Sequence, residues 1–207
     1  MMQASQIRNI PFDITTISSL YPHIKSVANK AVDLEKNNAI IRLKKGLYVF
    51  SPQTSGTLLS TELIANHLYG PSYISMHTAL RYYGLIPESV ATTISMTTKH
   101  SKQYDTPIGY FQYIYCPSNY FSIGIKSLQH KNIAFLTASP EKALCDLLIY
   151  TPNLNLRFKH EVLTYLKENL RLDMEHFYKM DVSIFEECAK ICKKKTLINN
   201  VIKILKR

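Results

Sequence analysis

The sequence lacks three features that would assign it at once to a membrane, a secretory route or a common nucleotide-binding fold. No run approaches the roughly 18 consecutive apolar residues of a membrane-spanning helix, and the N-terminal stretch MMQASQIRNIPF has no apolar core of secretory-signal length. Neither a GxGxxG nor a GxxxxGK[ST] phosphate-binding loop occurs. We therefore expect a cytoplasmic protein without a membrane partner and without a nucleotide cofactor.

Cysteine is scarce, and its spacing excludes the usual structural sites. The four cysteines form no CxxC pair and no short disulfide framework; they are Cys116, Cys145, Cys188 and Cys192. Without an export signal we predict reduced thiols. Cys188 and Cys192 are four residues apart on a helix, but no nearby histidine or second cysteine pair completes a zinc site. The sequence therefore predicts core thiols and no bound metal.

Positive charge is abundant but unevenly distributed. The 207 residues carry a formal net charge of +10 at neutral pH, with a pI near 9.4. Residues 1–52 have seven basic and three acidic side chains, residues 53–150 have six and five, and residues 151–207 have twelve and seven. A net charge of this size concerns partners rather than fold. Binding to a polyanion is therefore expected at the two ends of the chain and not in the middle.

The first segment predicts two helices followed by a β-hairpin. FDITTISSLYP begins with Asp13 as N-cap and ends before Pro22. In the next stretch, HIKSVANKAVDLEKNNAI, the apolar residues Val27, Ala31 and Leu34 are spaced along one helix face. IIRLKKGLYVF then predicts a strand, a Lys-Lys-Gly turn at Gly46, and a second strand. This order is that of a winged helix-turn-helix, in which the second helix enters the major groove of DNA.

The remaining chain predicts a mixed domain followed by helices. STELIANHLYG and PSYISMHTALRYYGLIP favour helices, the second capped by Ser75, and TTISMTT, GYFQYIYC and NIAFLT favour strands, with YFSIGI as a possible fourth. SPEKALCDLLIY predicts a helix with Ser139 as N-cap and Pro140 at its first position. From about residue 151 the chain is predicted to be helical. The expected fold class is α+β: a winged helix over residues 1–52, then a mixed α/β domain over 53–207.

The residues predicted to bind DNA lie on the second helix and on the hairpin. Serine, asparagine and lysine side chains reach base edges and phosphates, and a basic hairpin tip neutralises phosphates. The predicted DNA-binding residues are Lys25, Ser26, Asn29, Lys30, Asp33, Arg42, Lys44 and Lys45. The alternative interpretation is a solvated helix face beside an edge strand whose charge prevents strand pairing.

Two further features of the sequence fit either a structural role or a binding role. Fourteen tyrosines, many of them in the middle segment, fit either core and strand packing or a protein-binding surface. The C-terminal CKKKTLINNVIKILKR is basic and amphipathic. Such a helix either packs on its own domain or binds a membrane, nucleic acid or an acidic partner. Packing on the domain is the favoured interpretation.

Three stretches resemble the AbiEi-type antitoxins of bacterial abortive-infection toxin–antitoxin systems. They are the N-terminal unit ending in IIRLKKGLYVF, the stretch YISMHTALRYYGLIPE, and the stretch IAFLTASPEKALCDLL, together covering roughly residues 12–150. The resemblance implies a transcriptional regulator for phage defence that binds double-stranded DNA at its own operator. It also implies an antitoxin that counteracts a nucleotidyltransferase-like toxin, with no enzymatic activity and no cofactor. By position, the DNA-facing helix would span residues 23–37 and the wing residues 42–47.

Two other functions are compatible with the same residues. One is a protein-interaction module whose winged helix no longer binds DNA. The other is an enzyme acting on nucleic acid, for which Asp146 would be the residue to test; no spacing of nucleophile and base supports it.

Overall fold

The computed structural model describes residues 7–87, 91–130 and 133–206, and it confirms the α+β class, with 45% of the chain helical and 22% in strands. The strands are β1 (Phe12–Asp13), β2 (Ile40–Lys44), β3 (Leu47–Phe50), β4 (Ser72–Ile74), β5 (Thr92–Thr97), β6 (Lys102–Thr106), β7 (Gly109–Tyr115), β8 (Ile125–His130) and β9 (Ile133–Ala138). Within these ranges, no helix has the length and apolar character needed to cross a membrane.

The helices of the first half are α1 (Ile14–Leu20), α2 (Val27–Lys36), α3 (Pro52–Ser55), α4 (Thr61–Leu68) and α5 (Met76–Tyr82). Those of the second half are α6 (Ser118–Phe121), α7 (Pro140–Tyr150), α8 (Lys159–Thr164), α9 (Met174–Phe177), α10 (Val182–Ile191) and α11 (Lys195–Leu205), and α8 continues into a π-helical turn at Tyr165–Asn169.

The N-terminal residues form a small three-stranded sheet with two helices. Its strand order is β1-β3-β2, so the short strand that precedes α1 pairs with the second strand of the hairpin, Phe12 opposite Tyr48. Asp13 caps α1 as predicted, accepting hydrogen bonds from the backbone N–H groups of Thr15 and Thr16. A small apolar core lies between the sheet and helices; its buried members are Ile7, Phe12, Ile17, Ala31, Leu34, Ile40, Tyr48 and Phe50.

The hairpin of β2 and β3 is apolar on both faces. Ile40 pairs with Phe50, and both belong to the small core. The neighbouring pair, Ile41 opposite Val49, packs against the larger core instead, together with Leu43. Successive side chains of a strand point to opposite faces of the sheet. The hairpin therefore lies between the two cores and joins them.

The larger sheet has six strands in the order β6-β7-β5-β4-β9-β8. Strands β4 and β9 are parallel and adjacent, with Ile74 opposite Thr137, although they are far apart in the chain. The helices that follow them, α5 and α7, consequently start at the same edge of the sheet and pack against each other. This arrangement brings Ser75 and Ser139, the residues at the two helix starts, to one side of the sheet.

The C-terminal helices cover the larger core. From residue 151 onward the described residues form helices and connecting loops and no strand, as predicted, but the first of these helices begins only at Lys159. In α11 the stripe of Leu197, Ile198 and Val201 is fully buried, and this helix packs on α10 and α8. The favoured interpretation of the basic C-terminal stretch, a terminal helix packed on its own domain, is confirmed.

Several boundaries differ from the predictions. YFSIGI is not a strand: α6 and a turn occupy it, and only Ile125 enters β8. The helix expected over residues 23–37 begins at Val27, because Ser26 is its N-cap and the preceding residues form turns. Strands β1, β4, β6 and β8 were not predicted. β4 has only three residues, all buried, so it shows no alternation of apolar and polar side chains.

Candidate nucleic-acid interface

Helix α2 presents one exposed face with mixed chemistry. Ala28, Asn29, Val32, Asp33 and Lys36 are exposed, at the spacing of a single helix face. Val32 is an apolar member of this face and is 49% exposed. An apolar side chain beside an amide is a combination that contacts thymine methyl groups and adenine edges in the major groove. Asn29 and Asp33 belong to the predicted DNA-binding residues; Ala28, Val32 and Lys36 do not, although the helical spacing was sufficient to find them.

Three of the predicted DNA-binding residues at helix α2 already have partners within the protein. The Ser26 hydroxyl accepts the backbone N–H of Asn29 and so caps α2. The Lys30 ammonium donates to the Asp33 carboxylate at 2.9 Å and lies over the ring of Tyr21. The hydrogen bond and charge of Lys30 lower the pKa of Asp33. Lys25 and Asn29 are exposed side chains of this group that are not engaged in such an ion pair.

The hairpin tip is exposed and its turn is as predicted. Gly46 has a backbone φ of +79°, which residues other than glycine adopt only with strain. Lys45, the residue before it in the turn, is exposed. Arg42 is exposed on the same strand, opposite Tyr48. A bulge between Arg42 and Lys44 separates the two cations and redirects Lys44.

Lys44 is turned toward the larger domain and is not a free tip residue. Its ammonium donates to the carbonyl of Leu68 at the end of α4, and it lies over the ring of Tyr104. Burial and the neighbouring charges of Lys102 and Lys99 lower the pKa of Lys44. The predicted wing lysine is therefore part of a contact between the hairpin and the edge strand β6.

A cluster at this contact was missed by the sequence analysis. Lys99 and Lys102 are exposed, and their ammonium groups lie over the ring of Tyr69 at 5.4 and 5.8 Å from its centroid. Lys102 also lies 5.0 Å from the centroid of Tyr104. We call Lys44, Lys99, Lys102, Tyr69 and Tyr104 the edge cluster. A signal was present in TTKHSKQYD, but averaging charge over residues 53–150 concealed it.

The most strongly polar site of the interior is centred on Asp146. Its carboxylate accepts hydrogen bonds from the hydroxyls of Ser75 at 2.6 Å, Tyr120 at 2.7 Å and Tyr73 at 3.0 Å. The Lys142 ammonium lies 3.2 Å from the same carboxylate and donates to the Tyr120 carbonyl at 3.0 Å. Ser75 stands at the N-cap position of α5, but its hydroxyl makes no cap hydrogen bond because it donates to Asp146.

This buried network is not accessible to a substrate. Ser75, Lys142 and Asp146 are each 0% exposed. Burial and the Asp146 charge raise the pKa values of Tyr73 and Tyr120, so both remain proton donors at neutral pH. A reacting group needs a place beside it for substrate. The arrangement therefore fits a structural role in the core.

The cysteines lie where the sequence analysis expected them, with one exception. Cys116, Cys145 and Cys188 are buried, and Cys192 is half-buried. Burial raises the pKa of the Cys116 thiol to about 12, which leaves it protonated and unreactive at neutral pH. In the described ranges, no group of three or more His, Cys, Asp or Glu side chains is placed to hold a metal ion.

Comparisons with known proteins add no assignment: no protein-family model matches the chain, and no curated protein matches it in sequence.

Proposed function

We propose that this protein is a DNA-binding autorepressor and antitoxin of the AbiEi type, which binds duplex DNA through a winged helix over residues 1–52. The observation that carries the proposal is the arrangement of α1, α2 and the hairpin around the three-stranded sheet β1-β3-β2. In a winged helix the second helix of the pair reads the major groove and the hairpin lies on the backbone. Here α2 exposes Asn29 and Val32, and the hairpin exposes Arg42 and Lys45.

The antitoxin part of the proposal depends on the larger domain. The second and third stretches of the resemblance meet at one carboxylate, since Tyr73 and Ser75 of YISMHTALRYYGLIPE donate to Asp146 of IAFLTASPEKALCDLL. This contact supports the resemblance, and the proposed target remains a nucleotidyltransferase-like toxin encoded in the same operon.

The experiment is a binding titration of the purified protein with its own upstream duplex and with a scrambled duplex, across a salt series. We expect tighter binding to the upstream duplex and a steep fall with salt, because phosphate neutralisation releases counterions. Asn29→Ala should reduce the preference for the upstream duplex by about 1–3 kcal/mol, the contribution of one good base contact. The matched control is Asn155→Ala, an exposed asparagine in the loop after α7. Equal, weak binding to both duplexes would contradict the autorepressor.

A second candidate, a protein-interaction module without DNA binding, is favoured by the internal pairing of α2. Lys30 is bound to Asp33, which places a carboxylate on the face proposed to meet DNA. Exposed apolar side chains of the N-terminal unit would then contact a protein; they are Ile10, Ile14 and Val32. This candidate is favoured if the protein restores growth of cells that express the toxin but shows no selective binding to its upstream duplex.

A further inference from the structure

We propose that the edge cluster is a second phosphate-binding surface for duplex DNA, which extends the interface from the hairpin onto the edge of the larger sheet. This inference rests on the proposed function and adds a surface that residues 1–52 do not contain. Strand β2 is the edge of the small sheet, β6 is the edge of the large sheet, and the two strands lie next to each other. The hairpin and β6 therefore present one continuous surface.

The edge cluster concentrates positive charge without compensation. Lys44, Lys99 and Lys102 have no carboxylate partner within salt-bridge distance among the described residues. The closest acidic residue in sequence, Asp105, is three positions from Lys102 on β6 and so belongs to the opposite face of the strand. Surface lysines usually separate in solvent, whereas here three ammonium groups converge on two rings. A bound anion would relieve their mutual repulsion.

The rings of Tyr69 and Tyr104 are in contact with the lysines of the cluster. The Tyr69 ring carries Lys99 and Lys102, and its edge contacts Tyr113. The Tyr104 ring carries Lys44 and Lys102. Single-stranded nucleic acid is bound largely by stacking of bases on open aromatic faces. Since ammonium groups already contact both rings, the geometry favours the phosphates of a duplex, which need only positive charge at the surface.

The test removes the two exposed lysines of the cluster. Lys99→Ala combined with Lys102→Ala is compared with wild type and with a charge-matched control, Lys126→Ala combined with Lys190→Ala. Lys126 lies on β8, at the opposite edge of the six-stranded sheet, and Lys190 lies on α10. All four lysines are exposed, so each double variant loses the same charge without opening the core. Circular dichroism confirms that the variants are folded.

The readout is the slope of log affinity against log salt for the upstream and scrambled duplexes. We expect the slope of the Lys99→Ala, Lys102→Ala protein to fall by about two, since each phosphate contact contributes roughly 0.9. Between 50 and 200 mM salt, wild type should then lose roughly tenfold more affinity than the variant. The preference for the upstream duplex should stay the same, and the control should keep the wild-type slope.

Four results would overturn the inference. An unchanged slope in the Lys99→Ala, Lys102→Ala protein would show that the edge cluster is not part of the DNA interface. If wild type still binds the upstream duplex selectively, the proposed autorepressor function would stand. An equal fall of the slope in the Lys126→Ala, Lys190→Ala control would mean that the slope depends only on the net charge of the protein. Tighter binding to a single-stranded oligonucleotide of the same length would contradict the duplex as its ligand. Failure of wild type to bind any duplex would overturn both this inference and the proposed autorepressor.

Discussion

Asp146 connects elements of the larger domain that are far apart in the chain. Its carboxylate collects hydrogen bonds from β4, from the start of α5 and from α6, and it pairs with Lys142 of its own helix. A buried charge is costly unless it is paired and hydrogen-bonded. Because the Asp146 carboxylate is both paired and hydrogen-bonded, we infer that the network fixes the position of α7 against the sheet.

Two substitutions in this network should differ in cost. Asp146→Ala leaves the Lys142 ammonium and three hydroxyls without their common acceptor, and we expect a loss of about 3–5 kcal/mol in the free energy of unfolding. Lys142→Met should cost less, because the carboxylate keeps its three hydroxyl donors. Urea denaturation measures both, with Lys190→Met as the exposed control. Equal costs, or a larger cost for Lys142→Met, would show that the carboxylate is not the centre of the network.

At the scale of elements, helix starts follow from local chemistry. Ser139, followed by proline at the first helical position, caps α7 by accepting the backbone N–H of Lys142, and Asp13 caps α1 in the same way. Such caps need only residues within four positions. Both were therefore predictable from the sequence, whereas Ser75, at an equally good position, donates its hydroxyl to Asp146 across 71 residues.

The Asp13 cap gives a prediction about pH. Hydrogen bonds from the Thr15 hydroxyl and the Thr16 backbone lower the pKa of Asp13 in the folded state. A carboxylate with a lowered pKa stabilises the fold above its unfolded pKa, and this stabilisation is lost as the pH falls through the folded pKa. Asp13→Ala should therefore reduce stability by about 1 kcal/mol at pH 7, and by progressively less below pH 4.

Urea denaturation from pH 7 to pH 3 checks this expectation. Glu187→Ala, an exposed carboxylate in the middle of α10, is the control and should show no such convergence with wild type. A difference between Asp13→Ala and wild type that persists at pH 3 would mean that α1 does not depend on the charged cap.

At the scale of the whole molecule, the hairpin makes the two cores interdependent. Val49 and Leu43 are buried in the larger core, while Tyr48 and Phe50 of the same hairpin are buried in the smaller one. The predicted boundary at residue 52 remains a prediction, and it falls directly after a strand pair that both cores require.

The interdependence predicts joint unfolding. Leu43→Ala removes a side chain of the larger core and should lower the free energy of unfolding by about 2–5 kcal/mol. Hydrogen exchange should then accelerate together for amides of α1 and α2 and for amides of α7, because the hairpin transmits the loss to the smaller core. Leu58→Ala, at 83% exposure, is the control. Faster exchange confined to one of the two cores would contradict joint unfolding.

The sequence by itself determined the α+β class, the starts of α1 and α7, the turn at Gly46 and the buried face of α11. Each of these depends on neighbours within a few residues or on a helical period. Only the tertiary structure decided that β4 and β9 are adjacent and that the Ser75 hydroxyl donates to the Asp146 carboxylate. It also decided that the Lys44 ammonium lies close to Lys99 and Lys102. Those contacts follow from strand order, and strand order is set by packing between segments many residues apart. No local pattern records it.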